Sequence, residues 1–267
     1  MLGQRIRTAL VMLLVLAIVL FGLPRAAAIA GLAVLILFGA WEWAALAGIS
    51  GWFGRSGYVA TCAALMVALW TGTGDPVRFQ AVLAVVMAGW ILIFGWIVFA
   101  PRSGPRWLAA ATGLWALAPA WLALGRLLVQ DERGYEWVIF VLLLVWAADI
   151  GAFFVGRRFG RVHLAPRVSP NKTWEGVLGG LLGGLLIAFA AHAWFGLPAL
   201  AFLPLCVAAV LVSVVGDLAE SMFKRQRGLK DSGRLLPGHG GVLDRIDSLT
   251  AAAPLLALGL SWLGRVT

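Results

Sequence analysis

Residues 221–247 read SMFKRQRGLKDSGRLLPGHGGVLDRID, Ser221 to Asp247, and join two apolar runs, Ala199–Leu218 and Leu243–Leu263. Four basic residues (Lys224, Arg225, Arg227 and Lys230) fall within seven positions, and Arg234, His239, Arg245 and the acids Asp231, Asp244 and Asp247 follow. Membrane-length apolar runs do not tolerate such charge unless it is used or hidden. On a helix, Ser213, Asp217, Glu220 and Lys224 are spaced by four, three and four, so they share one face. Asp244, Asp247 and Ser248 repeat the arrangement at the other end. Carboxylates on two helix tips, joined by a basic Gly-rich segment, suit a divalent metal that carries phosphates. The alternative is a solvated loop whose positive charge only fixes topology. Against it stands Pro237-Gly238-His239-Gly240-Gly241. A merely solvated loop has no use for so many Gly and Pro, whereas close backbone approach to a phosphate does.

Composition extends the reading to the whole chain. Of 267 residues, 62% are hydrophobic and 12% charged, against about a quarter charged in a soluble protein. The expectation is an all-α polytopic integral membrane protein with about nine transmembrane helices. The spans are Ile6–Leu23, Ala26–Ile49, Tyr58–Thr71, Phe79–Ala100, Trp107–Gly125, Tyr135–Val155, Trp174–Phe195, Ala199–Leu218 and Leu243–Leu263. A span needs about 20 apolar residues, so Tyr58–Thr71 is short. The ninth span opens on charge, which protein or water must cover because lipid cannot. No linker and no internal repeat divides the chain. Residues 1–134 read as N-terminal transmembrane helices forming a structural, lipid-facing frame. Residues 135–267 read as a catalytic transmembrane region with cytoplasmic loops 156–173 and 219–243.

The net charge of +9 is unevenly placed. With nine spans, Arg25, Arg78, Arg126, Arg133 and Arg265 share one side, and the other sixteen of the 21 Lys and Arg, among them Arg102 and Arg234, share the opposite side. By the positive-inside rule the N-terminus and the 221–247 segment are cytoplasmic and the C-terminus is outside. The basic loops are short and lack aromatic stacking residues, so nucleic acid is not an expected partner. Cys62 and Cys206 lie inside apolar runs and are read as packing residues. The first run, followed by Ala26-Ala27-Ala28, imitates a signal peptide but is read as a retained span, because another apolar run follows at once. Glu42, between Trp41 and Trp43, is the one acid within the early spans and is read as structural.

Polar residues gather again from Asp149. The loop after span six carries Gly156-Arg157-Arg158-Phe159-Gly160-Arg161 and then Ser169-Pro170-Asn171-Lys172-Thr173-Trp174-Glu175-Gly176. This second block reads as a turn entering a helix, which Thr173 or Asn171 can cap, with free N–H groups that favour a phosphate. Topology and lipid-headgroup contact are the plainer explanation of its cations. No G-x-x-x-x-G-K-[ST] occurs, so there is no P-loop. In span seven, Gly176, Gly179, Gly180, Gly183 and Gly184 allow close helix approach, for internal packing or for a possible homodimer.

Ser221, Lys224, Arg225, Lys230, Asp231, Gly233, His239, Gly240, Gly241, Asp244, Arg245 and Asp247 fill a pattern fixed at a dozen positions in 27 residues. On these residues the chain resembles the CDP-diacylglycerol synthase (phosphatidate cytidylyltransferase) family. The Asp149 block, Gly160 and Ser169-Pro170-Asn171-Lys172-Thr173-Trp174-Glu175-Gly176 are similar too. Phe153 stands where that family is expected to have Tyr. The resemblance implies transfer of the cytidylyl group of CTP to phosphatidate, giving CDP-diacylglycerol and pyrophosphate, with Mg2+ and possibly a second cation. It implies membrane lipids as surroundings and, in a bacterium, the inner membrane. Asp217 and Asp244 are then the leading metal ligands and Asp149 and Asp247 the supporting ones. Lys224 and His239 join Asp217 and Asp244 as catalytic candidates. Ser169, Asn171, Lys172, Ser221, Arg225, Lys230, Gly240, Gly241 and Arg245 are the substrate-binding candidates. Two rival classes remain: another membrane transferase or kinase acting on a lipid phosphate, and a transporter, which would place its acids near the midplane between repeats.

Overall fold

Nearly every apolar run becomes a helix, because in hydrocarbon a helix satisfies all of its own N–H and C=O groups. The computed structural model describes residues 2–101, 104–233 and 235–266, with the side chains of all but Leu2 and Arg5. Arg102 and Arg234 lie outside the described residues. Helix α1 (Leu2–Ala17) runs on as a π-helical turn (Ile18–Gly22), and α2 (Arg25–Leu46), α3 (Trp52–Gly72), α4 (Pro76–Phe99), α5 (Arg106–Val129) and α6 (Gly134–Phe159) follow. A hairpin of β1 (His163–Ala165) and β2 (Ser169–Thr173) precedes α7 (Trp174–Phe195), α8 (Ala199–Gln226) and α9 (Leu243–Trp262). Six helices (α2 and α4 to α8) are long and apolar enough to cross a membrane. The protein is an all-α integral membrane protein with one small hairpin.

Helix α9 is the axis of the bundle. It packs against α8, α5, α4, α6 and α2, and Ala251, Ala252, Ala253, Pro254, Leu256 and Leu258 are all buried. Its charged first turn is covered only in part: Asp244 and Asp247 are half-buried against protein, while Arg245 is exposed. Helices α4 and α7 turn outward: Leu92 on α4 and Leu178, Leu182 and Leu186 on α7 are exposed, and the i, i+4 spacing of the last three marks a lipid-facing stripe. Both cysteines are free and buried.

The glycines of α7 are used inside the chain. A Cβ on Gly179 would run into Val155 and the carbonyl of Gly151, and one on Gly183 into the carbonyl of Ala147. A Cβ on Gly151 would in turn meet the carbonyl of Gly179. The possible homodimer face is thus the α6–α7 contact.

Three boundaries differ from the sequence expectation. Helix α3 begins at Trp52 and has 21 residues, longer than the run that reads as short, although it is not among the six helices long and apolar enough to cross. Helix α8 continues to Gln226, which places Ser221, Lys224 and Arg225 on a helix and shortens the expected 219–243 loop. Nothing between Ala219 and Gln226 breaks a helix, and Glu220 and Lys224 pair at i, i+4, which supports one. The block at Ser169–Thr173, expected as a turn, is a strand. Pro170 disfavours the helical region for Ser169, and β2 pairs antiparallel with β1 through His163 with Thr173 and Ala165 with Ser169.

Candidate active site

The charged residues of the second half meet where α6 and α8 end and α7 and α9 begin. Gly216 brings α8 and α9 together, since a Cβ there would lie 2.6 Å from the carbonyl of Asp247. That approach sets Asp247 within electrostatic reach of Asp217 and side chain to side chain with Glu220. Asp149, from α6, lies within electrostatic reach of Asp217 and Lys172, and Ser248 donates its hydroxyl to Asp149 at 3.5 Å. Four carboxylates from three helices therefore face one region.

Cations hold this group together. Lys172, at the end of β2, pairs with Asp217 at 2.6 Å, while Ser221 donates to the other Asp217 oxygen at 3.2 Å. Lys224 bridges α8 to α9, 2.7 Å from both Glu220 and Asp244. The Lys172–Asp217 pair is a quarter exposed on each side, so it stands at the mouth of the site. The Lys224 pairs lie deeper, with Glu220 fully buried. Buried ion pairs repay their desolvation only with good geometry and further hydrogen bonds. Glu220 falls short of that: its Oε1 is buried with no hydrogen-bond partner.

Asp244 is the organiser of the segment that precedes it. Its carboxylate accepts Gly241 N–H at 2.7 Å, Ser232 N–H at 3.1 Å and the Lys224 ammonium at 2.7 Å. Gly240 sits at φ +84° beside it, a conformation open to glycine, and a Cβ there would lie 2.5 Å from the Asp244 carboxylate. Leu236 and Gly240 close a one-bridge turn over Pro237 and Gly238. Within it His239 Nδ1 is buried with no hydrogen-bond partner, so this nitrogen makes no loop-stabilising bond.

The hairpin block is docked against α8. Arg225 donates to the Val168 carbonyl at 3.4 Å, beside the Lys172–Asp217 pair. Thr173 caps α7 by accepting Gly176 N–H at 3.1 Å, and Glu175 accepts Arg161 N–H at 3.1 Å and Val162 N–H at 3.2 Å. Asn171 and Lys230 are exposed. The exposed Arg245 donates to the His239 carbonyl at 3.1 Å. Among the sequence candidates, the structure thus gathers Asp149, Lys172, Asp217, Ser221, Lys224, Asp244 and Asp247 and leaves Ser169, Asn171, Arg225, Lys230 and Arg245 at the rim.

Two residues of this assembly are not among the sequence-based site candidates. Glu220 is read from its i, i+3 spacing as sharing the Asp217 face, but is given no role of its own. Glu42 comes from α2, far away in the chain. It is buried, and accepts Ser232 Oγ at 3.1 Å and Leu243 N–H at 2.8 Å. Other early elements also reach the segment: Arg227 donates to the Leu46 and Ala47 carbonyls, Gln226 to Pro101 and Thr8 to Pro237.

Among the described residues, no three acids, imidazoles or thiols converge into a ready-made metal shell. The donor set nonetheless fits a hard cation. Glu220 Oε1 has no protein donor, and Glu220 lies side chain to side chain with Asp247, so these facing carboxylates need a shared proton or a bound cation between them. Adjacent anions that could share an ion, next to lysines able to exchange a carboxylate for a phosphate, form an arrangement suited to phosphoryl chemistry.

The sequence profile described as the Cytidylyltransferase family matches residues 3–263. A phosphatidate cytidylyltransferase of Pseudomonas aeruginosa is 49% identical over 98% of this chain and 97% of its own length. Another from Haemophilus influenzae is 36% identical over 96% of this chain and 98% of its own. One from Brucella suis is 50% identical over 59% of this chain. The family profile over residues 3–263 and a relative 49% identical over almost the full chain show that this protein belongs to the cytidylyltransferase family.

Proposed function

We infer that the protein transfers the cytidylyl group of CTP to phosphatidate, releasing pyrophosphate and leaving CDP-diacylglycerol in the membrane. The observation that carries this reading is the carboxylate–lysine cluster of Asp149, Asp217, Glu220, Asp247, Lys172 and Lys224, set within the family signature at one end of a membrane bundle. A phosphatidate oxygen attacks the α-phosphorus of CTP. The new P–O bond forms as the bond to the β-phosphate bridging oxygen breaks, and pyrophosphate carries away the charge. Nucleophile and electrophile are both anionic, so the site must cancel their repulsion before they can meet.

Asp217 and Asp247, supported by Glu220 and Asp149, are the residues that would hold Mg2+ and any second cation; Asp244, a leading ligand on the sequence reading, instead has its oxygens taken by Lys224, Ser232 and Gly241. Such an ion would neutralise the phosphates and polarise the reacting phosphorus. Lys172 is the exchanging cation: it holds Asp217 now and turns to the triphosphate once that carboxylate has another partner. Lys224 keeps Asp244 and Glu220 together and supplies positive charge from below. Asp244 fixes the Gly240–Gly241 backbone, whose turn, with His239, faces the leaving pyrophosphate. Ser169, Asn171, Arg225, Lys230 and Arg245 at the rim bind the outer phosphates and the lipid headgroup. The site faces the cytoplasm, where CTP is made, and in a bacterium the membrane is the inner one.

The test is release of pyrophosphate by purified protein given CTP, Mg2+ and phosphatidate, with labelled CTP followed into lipid. Labelled CDP-diacylglycerol is expected, and another labelled lipid would transfer the protein to a different acceptor class. Rigorous chelation should abolish turnover and added Mg2+ restore it. Full turnover in chelator would remove the metal from the mechanism.

A further inference from the structure

Helix α9 begins without a cap of its own, since Val242 at the N-cap position offers no side-chain acceptor. The first free N–H, that of Leu243, is accepted instead by Glu42 of α2 at 2.8 Å. The same oxygen accepts the hydroxyl of Ser232 at 3.1 Å. One buried carboxylate therefore ties down both ends of the 232–243 segment, while Asp244 binds Ser232 and Gly241 from the other side. Charge and geometry agree, because a carboxylate at a helix N-terminus is favoured by the unpaired N–H groups and the dipole.

Two signature glycines find their explanation here. A Cβ on Gly233 would run into the Glu42 carboxylate, and one on Gly241 into both Glu42 and the Ser232 hydroxyl. Glu42 packing against the backbone requires a small residue at Gly233, and at Gly241 it adds a second reason to the expected approach of a phosphate.

We propose that Glu42 is a positioning residue for cytidylyl transfer: from the second helix it fixes the signature segment between Ser232 and Leu243, and so sets where Asp244 holds Lys224. The proposal rests on the reading that this segment walls the active site.

Four variants test it. Glu42→Ala should lower kcat on the order of 10²-fold, the scale of a small misplacement transmitted from outside the reacting groups, with a smaller change in KM for CTP. Glu42→Gln keeps an acceptor oxygen and should recover to within about tenfold of the parent. Gly233→Ala should be impaired alone, yet add little to Glu42→Ala, because the colliding carboxylate is then gone; such non-additivity marks direct contact. Hydrogen exchange of residues 228–243 should rise in Glu42→Ala while that of α4 and α5 stays as in the parent. Should Glu42→Ala fail to fold, Ser232→Ala removes one of the two ties without touching α2 and should raise the same exchange and lower kcat. Parent-like exchange and turnover in folded Glu42→Ala, or fully additive losses in the double variant, would overturn the proposal. Raised exchange with parent-like kcat would also overturn it, through the placement of the segment at the active site and not through the contacts of Glu42.

Discussion

Asp244 accepts three protein donors on two oxygens, and Lys224 answers it while also holding Glu220. Replacing Asp244 by Asn removes a charge from the Lys224 bridge and turns one acceptor into a donor aimed at backbone N–H groups. The Gly241 turn then loses its anchor, and Lys224 keeps a neutral amide oxygen in place of a charged one beside the buried Glu220. Asp244→Asn is expected to lower turnover on the order of 10³-fold, about 4 kcal/mol of transition-state stabilisation. The measurement is kcat on detergent-purified protein whose melting temperature is checked in parallel. Near-parent turnover in the folded variant would show that the signature turn does not depend on this carboxylate. Glu220 is the complementary case: a fully buried acid with one oxygen on Lys224, set against the Asp247 side chain, which is costly unless a proton or a cation is shared between the two carboxyls.

At the scale of elements, the contact between α6 and α7 positions the site. Asp149 rides on α6, and the hairpin bearing Lys172 leads directly into α7, so the spacing of these helices sets how Lys172 reaches Asp217. Gly179 lies against Val155 and the Gly151 carbonyl, leaving no room for a side chain. Gly179→Leu should force the helices apart, destabilise by about 1–3 kcal/mol and lower activity with it, as read by thermal melting and CDP-diacylglycerol formation. A variant with parent-like melting and activity would argue that α7 is free to shift along α6. The helices themselves were legible in the sequence because hydrocarbon forces every apolar run to bond internally. Their ends were not, since they depend on side-chain pairs such as Glu220–Lys224 that extend α8 beyond its apolar stretch. The hairpin was hidden by its shortness: Pro170 signals extended chain, but only pairing with His163–Ala165 makes it a strand. Asp217, Lys224, Asp244 and Asp247 could be found because their spacing on a helix is a local fact. The part played by Glu42 could not, because a lone acid among tryptophans carries no mark of partners that are 190 and 201 positions away.

Across the whole molecule, the division between an N-terminal frame and a C-terminal catalytic region is crossed by contacts at one end. Thr8, Glu42, the carbonyls of Leu46 and Ala47, and that of Pro101 all hold the segment around residues 226–243. The N-terminal end of α1 and the C-terminal ends of α2 and α4 thus share the end where α8 finishes and α9 starts. Arg126 instead binds the Trp70 and Thr73 carbonyls at the C-terminal end of α3, and Arg133 joins Glu136 and Trp194 at the ends of α6 and α7. Lys172, Lys224, Arg225, Arg227 and Arg245 make their contacts at the first end and Arg126 and Arg133 at the second, the partition that the charge bias leads one to expect. If the basic end is cytoplasmic, a single cysteine placed at the exposed Leu235 in a Cys62→Ala, Cys206→Ala background should react with an impermeant maleimide in inverted vesicles and be protected in right-side-out ones. A reporter fused after Thr267 should give the opposite pattern if all nine helices cross, which puts the two on different sides; six of the described helices are long and apolar enough to do so. Labelling of both from the same side would mean that one helix does not cross, and α1, whose apolar face is largely exposed and whose Thr8 hydrogen-bonds to Pro237 of the signature turn, would be the first to examine.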